Sequence, residues 1–397
     1  MSRILFTNGV LVLPDRLVPD GQVLVEGERI KRVATGASLR ASDADEVADL
    51  QGSYLAPGFI DIHVHGGAGA DFMDGTHEAF TTVCQAHARH GTTRLLPTST
   101  VARHEQILQF LEQVRRHRQA KGSGAGVLGA HFYGPYFAAE ARGCHPASGV
   151  RVPNAEEFKR YLEYADAICT ATVAPELPGA EVFVRACRER GIVCNAGHSH
   201  ATFQQVEAAI GWGVRHVDHL FCAMSDRARL RQTQTYPMRG GVMEATLYFD
   251  ELTTEVIADG KHLQHELLLL AYKVKSPDRL ALVTDCNRAL DMPDGEYIFG
   301  PRDGGEPILR RDGVGLMLDG KALASGVVGM DHMVATFHRL TGAPLPEVVR
   351  MASLTPAWII GKEAEFGSIA DGKHADLVVL GSNLKVERVF RDGESLP

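Results

Sequence analysis

The sequence predicts an α/β fold, namely a (β/α)8 TIM barrel with a small β-sandwich domain built from both termini. Apolar β runs alternate with helical stretches from about residue 57 to 345, whereas both ends of the chain contain only short β runs between turn residues. An open doubly wound sheet is the alternative. It favours a glycine-rich GxGxxG loop after the first strand, and the sequence lacks that loop there.

The terminal segments, 1–55 and 346–397, are predicted to form the small β domain together. Asn-Gly, Pro-Asp and Gly-Glu pairs separate the N-terminal β runs, and Asp-Gly turns separate the C-terminal ones. The predicted β runs are 4–6, 10–13, 23–25, 367–369, 376–380 and 386–390.

The middle segment, 56–345, is predicted to form the barrel. Its predicted strands are 59–64, 93–97, 127–132, 168–173, 192–196, 216–220, 255–257 and 280–284, and its helices are 76–90, 103–120, 155–165, 179–190, 201–211, 263–274 and 330–341. Active sites of such barrels lie at the carboxyl ends of the strands. The residues at these ends are polar, and they are His63, His65, Tyr133, His198, His219 and Asp285.

Composition and charge exclude several classes of protein. A net charge of −8 argues against a nucleic-acid scaffold, and no run of about 18 apolar residues predicts a membrane span. The first residues show no apolar core of signal-peptide length. Seven scattered cysteines without a CxxC pair favour a reducing compartment, so we expect a cytoplasmic protein.

The strongest local signal is PGFIDIHVHGG at 57–67. His63 and His65 are two residues apart on a predicted strand, so both imidazoles point to one face and can bind one metal ion. His198 and His219 end two successive strands. Either alone is compatible with a buried core histidine, but beside an HxH pair they are better explained as converging metal ligands.

Two other residues of these strands receive different interpretations. His216 precedes His219 by three residues on a strand and is expected to be structural. Asp285 ends a buried strand, where a carboxylate is costly unless it is paired or bound to metal. It would act as a general base toward water and then return the proton to a leaving amine, and a helix N-cap is the alternative.

Several motifs occur in the order found in N-acetylglucosamine-6-phosphate deacetylases, and the chain resembles that family over nearly its whole length. The motifs are GCHP (143–146), TVAPE (172–176), AGH (196–198), HLFCAM (219–224), IADGKH (257–262), VTD (283–285) and LAS (323–325). MASLTPA (351–357) and GSIADGKHADLV (367–378) match as well, although they recur across the wider amidohydrolase superfamily.

The resemblance implies hydrolysis of the acetamide of N-acetylglucosamine 6-phosphate to glucosamine 6-phosphate and acetate, with a divalent metal, expected to be Zn²⁺. It also implies a homodimer. His198 and His219 would hold the metal, and Asp285 would be the catalytic acid and base. The substrate-binding residues that it implies are His145, Cys222, Ala223, His262, Leu323, Ala324 and Ser325.

Position 133 departs from the family pattern. In GAHFYGP (129–135), Tyr133 stands where the family has a metal-binding Glu. A phenol with a reference pKa of about 10 is a poor zinc ligand near neutral pH. We expect a mononuclear metal site at a different position from that of the family. Its ligands would be His63, His65, Asp285 and one of His198 or His219. Whichever of His198 and His219 does not bind the metal would orient the water or polarise the carbonyl.

Two further departures concern the substrate. Cys222 stands where the family has a substrate-contacting Asn, and a thiol is a weaker donor than an amide. After Met224 the family's phosphate-binding Arg has no counterpart in register. Arg239 or Arg231 is expected to replace it, since guanidinium binds phosphate bidentately, and a solvated loop is the alternative.

These departures leave two alternatives to the predicted sugar-phosphate deacetylase. Cys222 and the loop 225–241 suggest the same chemistry on an N-acyl sugar or amide that lacks the 6-phosphate. Tyr133 suggests a non-catalytic sugar-phosphate binding protein. The retention of Asp285 argues against the second alternative, because a binding protein has no use for a proton shuttle.

Overall fold

The computed structural model describes residues 2–120 and 122–397. The strands of the described residues are β1 (Arg3–Val12), β2 (Leu17–Glu26), β3 (Arg29–Ala34), β4 (Glu46–Asp49), β5 (Tyr54–Pro57), β6 (Phe59–Val64), β7 (Gly66–Gly67), β8 (Ala70–Asp71), β9 (Thr92–Pro97), β10 (Gly126–Val127), β11 (Ala130–Tyr133), β12 (Ile168–Val173), β13 (Val193–Ala196), β14 (Val214–Val217), β15 (Thr253–Ile257), β16 (Leu280–Val283), β17 (Gly295–Phe299), β18 (Glu306–Arg311), β19 (Val314–Met317), β20 (Leu377–Leu380), β21 (Val386–Arg391) and β22 (Glu394–Ser395).

The α-helices are α1 (His77–Ala88), α2 (His104–His117), α3 (Ala155–Tyr161), α4 (Ala180–Arg188), α5 (Phe203–Trp212), α6 (Arg227–Leu230), α7 (Val242–Tyr248), α8 (His265–Arg279), α9 (Met330–Thr341), α10 (Leu345–Ala352) and α11 (Leu354–Ile359). Short 3₁₀ helices span Ala41–Asp43, Phe72–Asp74, Ala139–Ala141, Ala147–Gly149 and Leu162–Ala167. None of the helices in the described parts of the chain is long and apolar enough to cross a membrane.

Eight parallel strands, β6, β9 and β11 to β16, form the barrel. Hydrogen bonds order them as β10-β9-β6 and as β11 through β16. A parallel bridge between Thr98 and His131 joins the first set to the second, and the Asp285 amide donates to the His63 carbonyl at 2.8 Å on the other side. The predicted TIM-barrel fold is therefore confirmed.

The barrel strands are apolar because both of their faces are covered. All six residues of β6 and all five of β15 are buried, as in parallel sheets that carry helices outside and side chains inside. Two carboxylates interrupt these strands, Asp61 on β6 and Glu255 on β15. Buried charges need partners, so at these two positions the barrel interior contains polar interactions as well as apolar packing.

The two ends of the chain share one sheet, in the order β22-β21-β20-β5-β1-β2-β3, with β4 paired to β1. The two ends meet where β5 and β20 run antiparallel, with Leu55 opposite Val379. Phe6, Leu11 and Val23 pack with these two residues in a core of their own. Hydrogen bonding assigns all these strands to a single sheet, so the two layers of a β-sandwich stay a prediction.

The predicted domain limits, 1–55 with 346–397 and 56–345, also stay a prediction. The helices α10 and α11 fall in the predicted β domain, but α10 packs on α8 and β16, and α11 packs on β6. Val348 and Met351 belong to the same apolar core as the barrel strands. We therefore propose moving the C-terminal limit of the barrel to about residue 360.

One element near the barrel mouth is absent from the sequence prediction. β17, β18 and β19 form a separate antiparallel sheet. Its residue Phe299 is fully buried, with its ring centroid 5.0 Å from that of His65 and 5.1 Å from that of His145. This small sheet therefore forms part of the cover over the strand ends.

Candidate active site

A cavity of about 380 Å³ lies at the carboxyl ends of the barrel strands. Most of the residues that the sequence predicted for the site line it. They are His65, Tyr133, His145, His198, His219, Cys222, Ala223, His262, Asp285, Leu323 and Ser325. His63 is fully buried beside this cavity, with its ring 5.3 Å from that of His219.

The backbone at these strand ends is left-handed at residues other than glycine. The φ angles are 45° at His198, 22° at His219 and 47° at Asp285, and Ala223 and Ser325 also have positive φ. Residues with a Cβ adopt this region at a cost, and such strain concentrates at functional sites. At these residues the backbone thus departs from the extended strand and directs the side chains into the cavity.

We call His63, His65 and Asp285, on the ends of β6 and β16, the acidic wall. Asp285 Oδ1 lies 3.2 Å from His65 Nε2 and 3.6 Å from His63 Nε2. One ligand atom from each of the three residues lies within 4.8 Å of the others. Within the described residues, Nε2 of His63 has no hydrogen-bond partner although it is buried. In the neutral ring this nitrogen is available to a metal ion.

The carboxylates of Asp285 and of the neighbouring Glu255 set the charge state of the acidic wall. Burial opposes the charged form of His63, but Glu255 and Asp285 outweigh it and raise the pKa of His63 to about 9. Burial likewise opposes the charged form of Asp285, but His63 and His65 lower its pKa below the usual range. Asp285 is thus ionised at neutral pH.

We call Tyr133, His198 and His219, on the ends of β11, β13 and β14, the neutral wall. The Tyr133 hydroxyl is hydrogen-bonded to His219 Nε2 at 2.6 Å, and His198 Nδ1 donates to the Ala141 carbonyl at 2.7 Å. Burial lowers the pKa of His219 to about 4 and lowers that of His198 well below its usual value. Burial also raises the pKa of Tyr133 well above 10, so all three groups are uncharged.

Tyr133 fills the middle of the site. Its ring lies 4.5 Å from that of His63, 5.2 Å from that of His198 and 5.4 Å from that of His145, measured between centroids. It brings a protonated hydroxyl and no negative charge to this position. The neutral wall therefore offers two imidazoles and a phenol, with no carboxylate of its own.

The predicted substrate residues are not all brought to the cavity. Arg239 is exposed and does not line it, and Ala324 is fully buried in a small apolar cluster. Arg142 and Arg229 line the cavity instead. His262 does line it, and its Nδ1 donates to Asp259 at 2.7 Å. Phosphate binding by Arg239 stays a prediction, and Arg239 does not line this cavity.

Sequence reasoning also missed Glu255 and both cavity arginines. Glu255 is 1% exposed, and its Oε2 lies 3.1 Å from Nε2 of His216, the histidine predicted to be structural. A charged residue in the predicted barrel strand 255–257 was the available signal. Arg229 is one of several arginines in the loop 225–241, and Arg142 is a single arginine before the GCHP motif, so neither offered such a signal.

The Amidohydrolase family profile matches residues 54–396. The N-acetylglucosamine-6-phosphate deacetylase of Vibrio furnissii is 32% identical over 340 residues, which are 85% of this chain and 82% of that protein. The N-acetylgalactosamine-6-phosphate deacetylase of Escherichia coli O157:H7 is 32% identical over 349 residues, 88% of this chain and 89% of that protein.

Among solved structures, a mutant of the N-acetyl-D-glucosamine-6-phosphate deacetylase from Mycobacterium smegmatis, in complex with N-acetyl-D-glucosamine-6-phosphate, is similar over the whole chain. The TM-score is 0.89 at 28% identity, and the match covers 100% of each chain. The family resemblance seen in the sequence motifs is therefore confirmed, in sequence and in fold.

Proposed function

This chain belongs to the amidohydrolase family, and from that premise we propose that it hydrolyses the acetamide of an N-acetylhexosamine 6-phosphate, with N-acetylglucosamine 6-phosphate as the first candidate. One observation carries the proposal: the cavity joins the ionised Asp285 to imidazoles at the strand ends of a barrel. The names of the similar proteins support the choice of substrate class.

We place the metal on the acidic wall. The buried, unpartnered Nε2 of His63 and the spacing of its neighbours fit a divalent ion with nitrogen and oxygen ligands, and we favour zinc. His63, His65 and Asp285 would hold it. When bound, such an ion polarises a carbonyl and makes an attacking water more acidic.

Side chains of this protein would transfer the protons and orient the substrate. Asp285, ionised at neutral pH, would take the proton of the attacking water and deliver it to the leaving amine. Tyr133 and its partner His219 line the cavity opposite, uncharged. With His219 Nε2–H donating to the phenol oxygen, the Tyr133 O–H would be left to donate to the acetamide oxygen as negative charge develops on it. His198, hydrogen-bonded to a backbone carbonyl, would orient the acetyl group.

Recognition of the sugar phosphate would come from the outer part of the cavity. His145 and His262 line it and would contact the sugar. Arg142 and Arg229 are the cavity's guanidinium groups, so we propose that they bind the phosphate in place of Arg239. Ala223, Leu323 and Ser325 form the remaining surface against the ligand. A homodimer and a cytoplasmic location stay predictions.

Acetate release by zinc-loaded protein tests the proposal. N-acetylglucosamine 6-phosphate, N-acetylgalactosamine 6-phosphate and unphosphorylated N-acetylglucosamine are offered side by side, with Asp285→Asn as the control. We expect turnover of at least one phosphate ester and none by the control. Zinc-bound protein that turns over no phosphate ester would contradict the proposal.

The position of Arg239 outside the cavity favours one second candidate, an N-acyl sugar or amide without the phosphate. Cys222, a weak hydrogen-bond donor that lines the cavity, agrees with it. The same assay separates the two: faster hydrolysis of the unphosphorylated sugar would favour this candidate. Arg142→Met is then expected to leave that rate unchanged, whereas it would lower the rate with a phosphate ester.

A further inference from the structure

A carboxylate lies behind the acidic wall. Glu255 is in the middle of β15, a strand whose residues are all buried, and it is 1% exposed. A buried ionised carboxylate costs several kcal/mol unless it is well partnered, and an apolar residue would serve the packing of such a strand at no such cost. The partners of Glu255 therefore indicate what it does.

Each partner of Glu255 belongs to a strand that ends at the site. Its Oε1 lies 2.5 Å from His63 Nδ1 and accepts from the His219 backbone amide at 3.3 Å. Its Oε2 lies 3.1 Å from His216 Nε2. Nδ1 of His216 in turn bonds Thr253 Oγ1 at 2.7 Å. Both nitrogens of that ring thus have partners, and the ring is fixed against the carboxylate.

These contacts orient His63. In the neutral ring, the form that can bind a metal, Nδ1–H is donated to Glu255 and the lone pair is on Nε2. That nitrogen has no hydrogen-bond partner among the described residues, and it lies 3.6 Å from Asp285 Oδ1. The carboxylate thus fixes the proton of the ring on the side away from the cavity and turns the free nitrogen toward the candidate metal position.

We propose that Glu255 is a positioning residue of the metal site: it holds His63 in the tautomer and orientation that bind a divalent cation. The inference rests on the proposed metal site of the acidic wall. Glu255 does not touch the cavity, and it acts through His63. Carboxylates behind metal-binding histidines have this effect in general, and their loss weakens metal affinity about 10- to 100-fold.

Glu255 as a ligand itself is the competing assignment. His63, Asp218 and Glu255 also form a group whose ligand atoms lie within 4.8 Å of one another. Two ligands about 2.1 Å from a tetrahedral zinc are about 3.4 Å apart. His63 Nδ1 and Glu255 Oε1 are 2.5 Å apart, the spacing of a hydrogen bond, whereas the acidic wall shows spacings of 3.2 and 3.6 Å.

Zinc affinity and the visible spectrum of the cobalt-substituted protein test this inference. Glu255→Gln removes the charge but keeps the shape, and we expect zinc affinity to fall 10- to 100-fold with a changed cobalt spectrum. Glu255→Asp keeps a carboxylate in the strand but cannot reach Nδ1, so it should fold and show the same loss. The matched control is Glu176→Gln, a half-buried carboxylate that bonds Ser199 and contacts none of the acidic wall.

The outcomes separate three cases. Wild-type affinity and an unchanged cobalt spectrum in both Glu255 variants would overturn the inference, as would a wild-type protein that binds no zinc. Zinc binding abolished by Glu255→Gln and retained by Asp285→Asn would make Glu255 a ligand, which also overturns it. Zinc binding that depends on Glu255, in a protein that deacetylates nothing, would uphold the inference while the proposed function fails.

Discussion

The acidic wall and the neutral wall face the same cavity, and both present histidines from the ends of parallel strands. They differ in their carboxylates. Beside Glu255 and Asp285 the pKa of His63 rises to about 9, whereas burial, together with the charge of His63, takes that of His219 to about 4. Histidines of similar position and burial thus differ in charge because of what lies within hydrogen-bond reach, and a count of histidines does not locate a metal.

Tyr133 explains why the walls differ. A carboxylate at its position would give the neutral wall a negatively charged ligand, but the phenol gives only a hydroxyl, bonded to His219. The carboxylates of this site therefore come from β15 and β16 instead. Metal binding is thus expected at one wall and substrate polarisation at the other.

The largest expected effect is that of Asp285→Asn. The amide neither accepts the proton of the attacking water nor balances the charge of a dication, so turnover should fall by about a thousandfold or more. Acetate release measures the rate, and elemental analysis of the dialysed protein measures bound zinc. A variant that retains a tenth of the wild-type rate would remove Asp285 from the mechanism.

A matched pair of variants compares the walls directly. His63→Gln should lower zinc affinity by about 100-fold, because it removes a ligand, whereas His219→Gln should change it less than threefold. Calorimetric titration with zinc gives both numbers. Equal losses of zinc affinity in the two variants, or a larger loss in His219→Gln, would contradict the placement of the metal on the acidic wall.

Tyr133→Glu would make the neutral wall acidic. We expect the variant to bind more zinc per chain than the wild type does, since the introduced carboxylate would join His198 and His219 as the third ligand. Tyr133→Phe is the control: it removes the hydroxyl without adding charge, and its zinc content should not change. A Tyr133→Glu variant without additional metal would show that the position is not a vacated ligand site.

The smallest expected effect tests the electrostatic rule away from the cavity. His90 lies 2.9 Å from Asp291 and 3.0 Å from Asp331; burial opposes its charge, but the two carboxylates raise its pKa to about 9. A raised pKa in the folded state stabilises the fold below pH 6.5, and this stability is lost as the pH rises through about 9.

His90→Gln should therefore lower the free energy of unfolding at pH 6 by on the order of 2 kcal/mol and have little effect at pH 10. Denaturant unfolding at both pH values measures the difference. His87, which bonds the Gly66 carbonyl and whose pKa burial lowers to about 4, gives the contrast. Equal losses at the two pH values would show that the carboxylates do not set the charge of His90.

The barrel was predictable because its signals are local. Each apolar run with a polar residue at its end identified a strand and a site position, and His63, His65 and Asp285 were found that way. Glu255 was not, because its partners are 39 and 192 positions away in the sequence, and only the closed barrel brings them together. The arginines that line the cavity depend on the conformation of two loops, which no periodicity predicts.

The most direct test is a crystal structure of the zinc-loaded protein, with the zinc located by its anomalous scattering. We expect a single strong peak about 2.1 Å from His63 Nε2, with His65 and Asp285 completing the contacts and Tyr133 still bonded to His219. A zinc ion between His198 and His219, with the Tyr133 hydroxyl displaced, would contradict the assignment of metal to the acidic wall.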